Sequence, residues 1–282
     1  MLKYITFSLY FAFAALPVAG QSQDNTNRLS DLLEHLASRN DFVPEAAALY
    51  GFEGNSIAVY TDHIYKTWRD PELRNYLAER LEGVARWQDD GNIEDSSLQK
   101  IMVYLPFALS IPSDQGAFNL PGTMLQDYVA GYHAGFIGEA EKSLEACIEA
   151  YTIDFGDKPE LLIKSLGHKI VLMRNMDPKT LQAFLQAKRE AARIGLAADY
   201  EYIPMTEIET EEALLPLYRE LDAMAETHPN KAGIEEFWYN DGNEPRDLCD
   251  VSVLEWSVLD RLEGEERQLV ARYFLEDYTG QP

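Results

Sequence analysis

Residues 123–153 have the sequence TMLQDYVAGYHAGFIGEAEKSLEACIEAYTI, and this stretch decides the fold class. Its apolar residues recur every three or four positions, which is the spacing that one buried face of an α-helix requires. It is the longest segment with an unbroken helical period, so we expect one central helix over this range. The residues that carry the period are Leu125, Tyr128, Val129, Tyr132, Phe136, Ala140, Leu144, Cys147, Ile148 and Tyr151.

Three glycines interrupt the apolar residues of the central helix, at Gly131, Gly135 and Gly138. Each glycine costs a helix roughly 1 kcal/mol relative to alanine. Their presence therefore predicts that another backbone packs close against the helix at these positions.

The rest of the chain also has the pattern of helices. Asp70–Pro71 and Asp177–Pro178 are helix start signals, because an aspartate that can cap the helix precedes a proline that suits the first turn. No set of alternating strands and no fixed repeat is present. We predict an all-α protein, an irregular bundle of about nine to eleven helices, with at most a short extended segment.

The stretch 111–122 is rich in Pro, Gly, Ser and Asn, which predicts a loop and makes it the one reasonable linker. We therefore predict that residues 21–282 form a single helical domain, with 111–122 as the candidate sub-domain boundary.

The first twenty residues have the three parts of a secretory signal. Lys3 is followed by an apolar run over residues 4–16 and then by small residues up to Gly20. We predict cleavage after Gly20, a mature chain without a transmembrane anchor, and a periplasmic or secreted location. The alternative is that the apolar run is retained as an anchor.

Two cysteines, Cys147 and Cys249, belong to the predicted mature chain. An even number of cysteines in an oxidising compartment favours a disulfide between them. The alternative is two separate buried thiols.

The chain is strongly acidic, because its 48 Asp and Glu residues outnumber its 24 Lys and Arg residues and the net charge is −24. Nucleic acids and anionic membranes are disfavoured as partners because both require clustered basic residues. A basic protein partner is favoured instead. Candidate partner-binding residues form two clusters, Asp89, Asp90, Glu94 and Asp95 in the first and Glu207, Glu209, Glu211 and Glu212 in the second. The second cluster also suits a helix start, where negative charge is stabilising.

A ligand-binding alternative centres on Tyr128, Tyr132, His133 and Tyr151 of the central helix. The residues Gly131, Tyr132 and His133 resemble the Gly-x-His-x-x-Glu motif of the imelysin family. Phe136 occupies the position of the motif's glutamate, so no property of that family is transferred. None of the five histidines has a two-ligand metal spacing, and we predict no metal and no cofactor.

The sequence favours the interpretation that this is an exported helical protein, which acts by binding a protein partner as an inhibitor or immunity-type protein does. The alternative is a periplasmic hydrolase, or a metal-binding or small-ligand-binding protein, with a pocket around Tyr132 and His133. An enzyme is less favoured because no nucleophile elbow, phosphate loop or dinucleotide fingerprint is present.

Overall fold

The computed structural model describes residues 23–38, 42–88, 92–155, 169–240 and 244–279. These residues contain α-helices joined by short connections and no strand, apart from an isolated bridge between Trp87 and Ile93. The all-α fold class is therefore confirmed. The helices are α1 (Gln23–Leu36), α2 (Phe42–Leu49), α3 (Asn55–Arg69), α4 (Pro71–Leu81), α5 (Asp95–Ala108), α6 (Ser110–Ala117), α7 (Gly122–Ala140), α8 (Leu144–Phe155), α9 (residues 169–175), α10 (Pro178–Leu196), α11 (Glu207–Thr227), α12 (Lys231–Asn240), α13 (Pro245–Ser257) and α14 (Gly264–Thr279).

The described part of the chain thus has 14 helices, more than the nine to eleven predicted. Part of the difference arises because the predicted central helix is two helices and the predicted linker contains one. Among the described helices, none combines the length and the apolar character that a membrane-crossing helix needs.

The chain divides into two compact units. The N-unit contains the described residues up to Asn119 together with Leu185–Glu201, and the C-unit contains those of Leu120–Phe184 and those from Tyr202 onward. The boundary between Asn119 and Leu120 falls inside the range 111–122.

In the N-unit, helix α4 begins where the sequence predicts. The Asp70 carboxylate accepts hydrogen bonds from the backbone N–H groups of Glu72, at 3.0 Å, and Leu73, at 3.1 Å. These bonds satisfy two of the N–H groups that a helix start leaves without partners. Side chains buried in this unit include Leu29, Leu33, Trp68, Leu73 and Leu77.

The prediction of a loop over 111–122 is wrong, because most of this stretch forms α6 and is packed against α10 within the N-unit. A Cβ atom at Gly116 would lie 1.9 Å from the carbonyl oxygen of Ala191, and one at Gly195 would lie 2.1 Å from that of Pro112. The small residues that suggested a turn instead allow two helix backbones to approach closely.

The predicted central helix is also corrected, because it ends at Ala140 and a second helix begins at Leu144. Ser143 marks the new start, since its hydroxyl accepts a hydrogen bond from the backbone N–H of Ala146 at 3.1 Å. A serine in this position is a common N-cap. The apolar period continues through the break, so periodicity alone does not reveal it.

The prediction that another backbone packs close against the glycines of α7 is confirmed at Gly135, whereas the atoms nearest to a Cβ at Gly131 and Gly138 belong to the side chains of Phe184 and Asn175. A Cβ atom at Gly131 would lie 2.3 Å from the ring of Phe184. One at Gly135 would lie 3.0 Å from the carbonyl oxygen of Leu172 on α9. Each glycine therefore makes room for a neighbouring element of the same unit.

Candidate functional site

The predicted ligand-binding tyrosines are core residues of the C-unit. Tyr128 and Tyr132 are buried on α7. Their ring centroids lie 5.5 Å apart, and they lie 5.6 Å and 5.3 Å from the ring of Phe184. Packing of three aromatic rings explains the burial of both tyrosines. The side chain of Tyr151, the third tyrosine of this prediction, lies outside the described residues.

His133, the histidine of that prediction, lies beside a charged residue. Its side chain is buried, and Nδ1 lies 3.6 Å from the Asp260 carboxylate, which is mostly exposed. Burial lowers the pKa of His133, while Asp260 raises it and Arg267 lowers it. A carboxylate beside an imidazole can orient it as a general base. In the described part of the chain, however, no three His, Cys, Asp or Glu residues are grouped so that they could hold a metal.

The first acidic cluster is only partly visible, because Asp89 and Asp90 lie outside the described residues. Glu94 is half-buried, and its backbone N–H donates to the carbonyl oxygen of Arg86 at 2.9 Å. Asp95 is the first residue of α5. A role of these four residues in partner binding stays a prediction.

The second acidic cluster lies at the start of α11, and the structure divides it by role. Helix α11 begins at Glu207, because Thr206 is its N-cap. Thr206 Oγ1 accepts from the backbone N–H of Glu209 at 3.2 Å, and the Glu209 carboxylate accepts from the backbone N–H of Thr206 at 2.7 Å. Glu209 therefore closes a capping box.

The other three acids of the cluster point into solvent. Glu207, Glu211 and Glu212 are exposed, and none of them forms an ion pair with another residue of the described chain. We call these three residues the acidic face of α11. Their charges remain available to a partner.

The basic residues around α11 are already engaged by acids. Arg219 forms hydrogen bonds with both carboxylate oxygens of Glu266, at 3.1 and 2.9 Å, and with Glu220 at 3.0 Å. Arg261 binds Glu220 at 2.8 Å. These bonds raise the pKa of Arg219. The acidic face is therefore not neutralised by Arg219, the arginine of α11.

Three exposed apolar residues lie on α11 and are not among the site residues predicted from the sequence. Ile208, Leu215 and Tyr218 have 68, 73 and 50% of their surface exposed. The period of the helix could have identified them. Its buried stripe is formed by Ala213, Pro216, Leu217 and Leu221, and the three exposed residues do not belong to that stripe.

The disulfide predicted from the sequence is confirmed as a pairing in the C-unit. The sulfur atoms of Cys147 on α8 and Cys249 on α13 are at bonding distance, and their Cα atoms lie 5.9 Å apart. This separation is normal for a disulfide. The pair packs in a buried cluster with Phe136 and Ala150.

No family model, curated protein or solved structure matches this chain.

Proposed function

We propose that this protein is exported and acts by binding a basic protein partner through the acidic face of α11, as an inhibitor or immunity-type protein does. The observation that carries the proposal is the exposure of Glu207, Glu211 and Glu212 without ion-pair partners in the described chain. Glu209, which lies between them in sequence, is instead held by the Thr206 cap.

The charge of the whole chain supports the same partner. With a net charge of −24, the protein attracts basic surfaces from a distance and repels nucleic acids and anionic membranes. Complementary charge of this kind increases the rate of association and selects against wrong partners. Both effects weaken as salt screens exposed charges.

The ligand-binding alternative has less support. Tyr128, Tyr132 and Phe184 fill the space beside one another, and His133 has one carboxylate near its ring. Aromatic packing and a single ion-pair contact are sufficient structural roles for these residues.

The acidic face is tested by a charge-neutral triple variant, Glu207→Gln, Glu211→Gln and Glu212→Gln. The full oxidised chain is immobilised, exposed to an envelope extract of the producing cells, and eluted with increasing salt. We expect the wild type to retain a basic protein that salt releases, and the variant to bind that protein at least about tenfold more weakly at low salt.

A matched control removes the same charge elsewhere, with Glu45→Gln, Glu53→Gln and Glu79→Gln. These three glutamates are exposed and belong to the N-unit. The control variant should bind like the wild type. Equal weakening in both variants would mean that only net charge matters, and the acidic face would lose its role. If the wild type retained no protein that salt releases, the proposed function would be wrong.

A further inference from the structure

Exposed apolar side chains are concentrated near the acidic face. The large apolar side chains exposed in the described chain are Leu49, Leu144, Ile203, Ile208, Leu215, Tyr218 and Tyr239. Four of these seven fall within residues 203–218, in α11 and the segment before it. Single exposed apolar residues need no explanation, but a cluster of them indicates an interaction site.

Leu215 lies at the middle of the solvent side of α11. Residues three, four and seven positions away are its neighbours on that side of a helix. These neighbours are Ile208, Glu211, Glu212, Tyr218, Arg219 and Asp222, and all six are exposed. Leu215 is thus surrounded by solvent-facing residues, while Leu217 and Leu221 pack on the buried side of the same helix.

Apolar and acidic residues alternate along this side of α11. Ile208 precedes Leu215 by seven residues, or about 10.5 Å along the axis. Glu211 and Glu212 lie between them, and Tyr218 follows Leu215 on the next turn. Anchors spaced in this way are typical of a helix that docks in a groove.

We infer that α11 is a docking helix, with Leu215 and Tyr218 in one apolar pocket of a protein partner, Ile208 in a second, and basic residues of the partner between the pockets. This inference rests on the proposed function and adds the chemistry of the partner's surface. Charge complementarity selects the occupant. A second copy of α11 is disfavoured because Glu211 and Glu212 would face the same acidic residues of that copy. An anionic lipid surface is disfavoured because it would repel these glutamates in the same way.

Two substitutions of equal chemistry test the anchor. Leu215→Ser removes the proposed anchor, and Leu49→Ser removes an apolar side chain of similar exposure, 87% against 73%, from α2 in the N-unit. Both variants should keep the wild-type thermal midpoint, because neither side chain is buried. We expect Leu215→Ser to weaken binding of the basic protein recovered on the immobilised chain at least about tenfold, and Leu49→Ser less than about twofold.

Photo-crosslinking in the full chain locates the contact independently. With p-benzoylphenylalanine at position 215, irradiation in the envelope extract should give an adduct with that same basic protein, whereas the residue at position 49 should give none. An adduct with a second copy of this chain would overturn the inference.

The two proposals fail in different ways. If the triple glutamine variant loses binding while Leu215→Ser binds normally and position 215 gives no adduct, the docking helix is wrong and the acidic face stands. If no salt-releasable basic protein binds, both proposals are wrong.

Discussion

In the N-unit, Nη1 of Arg189 on α10 lies 2.7 Å from Nδ1 of His63 on α3. A guanidinium group can only donate hydrogen bonds, so Nδ1 must accept and the imidazole must be neutral. The His63 ring is buried. The neighbouring charges that act on it, from Arg189, Lys188 and Lys66, are all positive. A positive charge on the imidazole would be repelled by these groups, and it would therefore oppose the contact between α3 and α10.

We predict that the N-unit loses stability as the pH falls below about 6.5, the ordinary pKa of histidine. Burial lowers the pKa of His63 well below that value, and Arg189, Lys188 and Lys66 lower it further, against a hydrogen bond to the backbone of Leu185. The unfolded chain then binds a proton that the folded chain does not bind. The free energy of unfolding should fall with pH, by at most about 1.4 kcal/mol per pH unit for one proton.

Urea denaturation between pH 7.5 and 5.5, ~1 pH unit on either side of the histidine value, measures this effect. His63→Gln should remove most of the pH dependence, although it also changes stability at pH 7. His35→Gln is the control, because His35 is exposed on α1. If wild type, His63→Gln and His35→Gln show the same slope with pH, His63 is not the responsible group.

A second prediction concerns Gly116, whose missing side chain allows α6 to approach α10. Alanine at this position would place a Cβ atom 1.9 Å from the carbonyl oxygen of Ala191. Both groups are held by helix backbones, so relief requires one helix to move. We expect Gly116→Ala to lower the free energy of unfolding by about 1–3 kcal/mol or more, although alanine favours the helix by roughly 1 kcal/mol.

Gly83→Ala is the control for Gly116, since no atom lies within 4 Å of the position that a Cβ atom would take there. Gly195→Ala should resemble Gly116→Ala, because the two glycines face the same helix contact. Chemical denaturation of the three variants compares them directly. Equal stability of Gly116→Ala and Gly83→Ala would show that the helices are not in close contact.

These glycines also show where prediction from sequence succeeds and where it fails. Asp70 and Asp177 identify the starts of α4 and α10 because a cap acts on backbone groups two or three residues away. Gly116 and Gly195 are 79 residues apart in the sequence, so no local pattern indicates that they pack against the same helix contact. The local composition indicates a loop at Gly116. In the folded protein this residue instead lies in α6, which packs against α10, a helix distant in the sequence.

The candidate site also has some features that the sequence predicts and others that it does not. The acids at the start of α11 are evident in the sequence, as is the cysteine pair. The different roles of Glu209 and Glu207 depend on Thr206, because Glu209 lies three residues after this N-cap and closes the capping box. The exposure of Leu215 is not evident from the residue type, because a leucine is usually buried, but it follows from the period of α11, which places Leu215 off the buried stripe.

A third prediction concerns the disulfide between Cys147 and Cys249. These residues are 102 positions apart, so the bond closes a long loop in the unfolded chain. On the chain-entropy model such a loop stabilises the folded protein by about 4–5 kcal/mol. We expect reduction to lower the urea midpoint of the C-unit strongly. In the double variant Cys147→Ser and Cys249→Ser, the same reductant should have no effect.

The last prediction separates the structural acid of α11 from those proposed to bind. Thr206→Ala removes the N-cap and should lower the free energy of unfolding by about 1 kcal/mol. Glu209→Ala should also lower the midpoint of denaturation, because the Thr206 backbone N–H loses its acceptor. Glu207→Ala should leave the midpoint unchanged, since the Glu207 side chain is exposed and forms no ion pair in the described chain. If Glu207→Ala were as destabilising as Glu209→Ala, negative charge near the helix start would stabilise α11 in general. Glu207 would then have a structural role, and the acidic face would be reduced to Glu211 and Glu212.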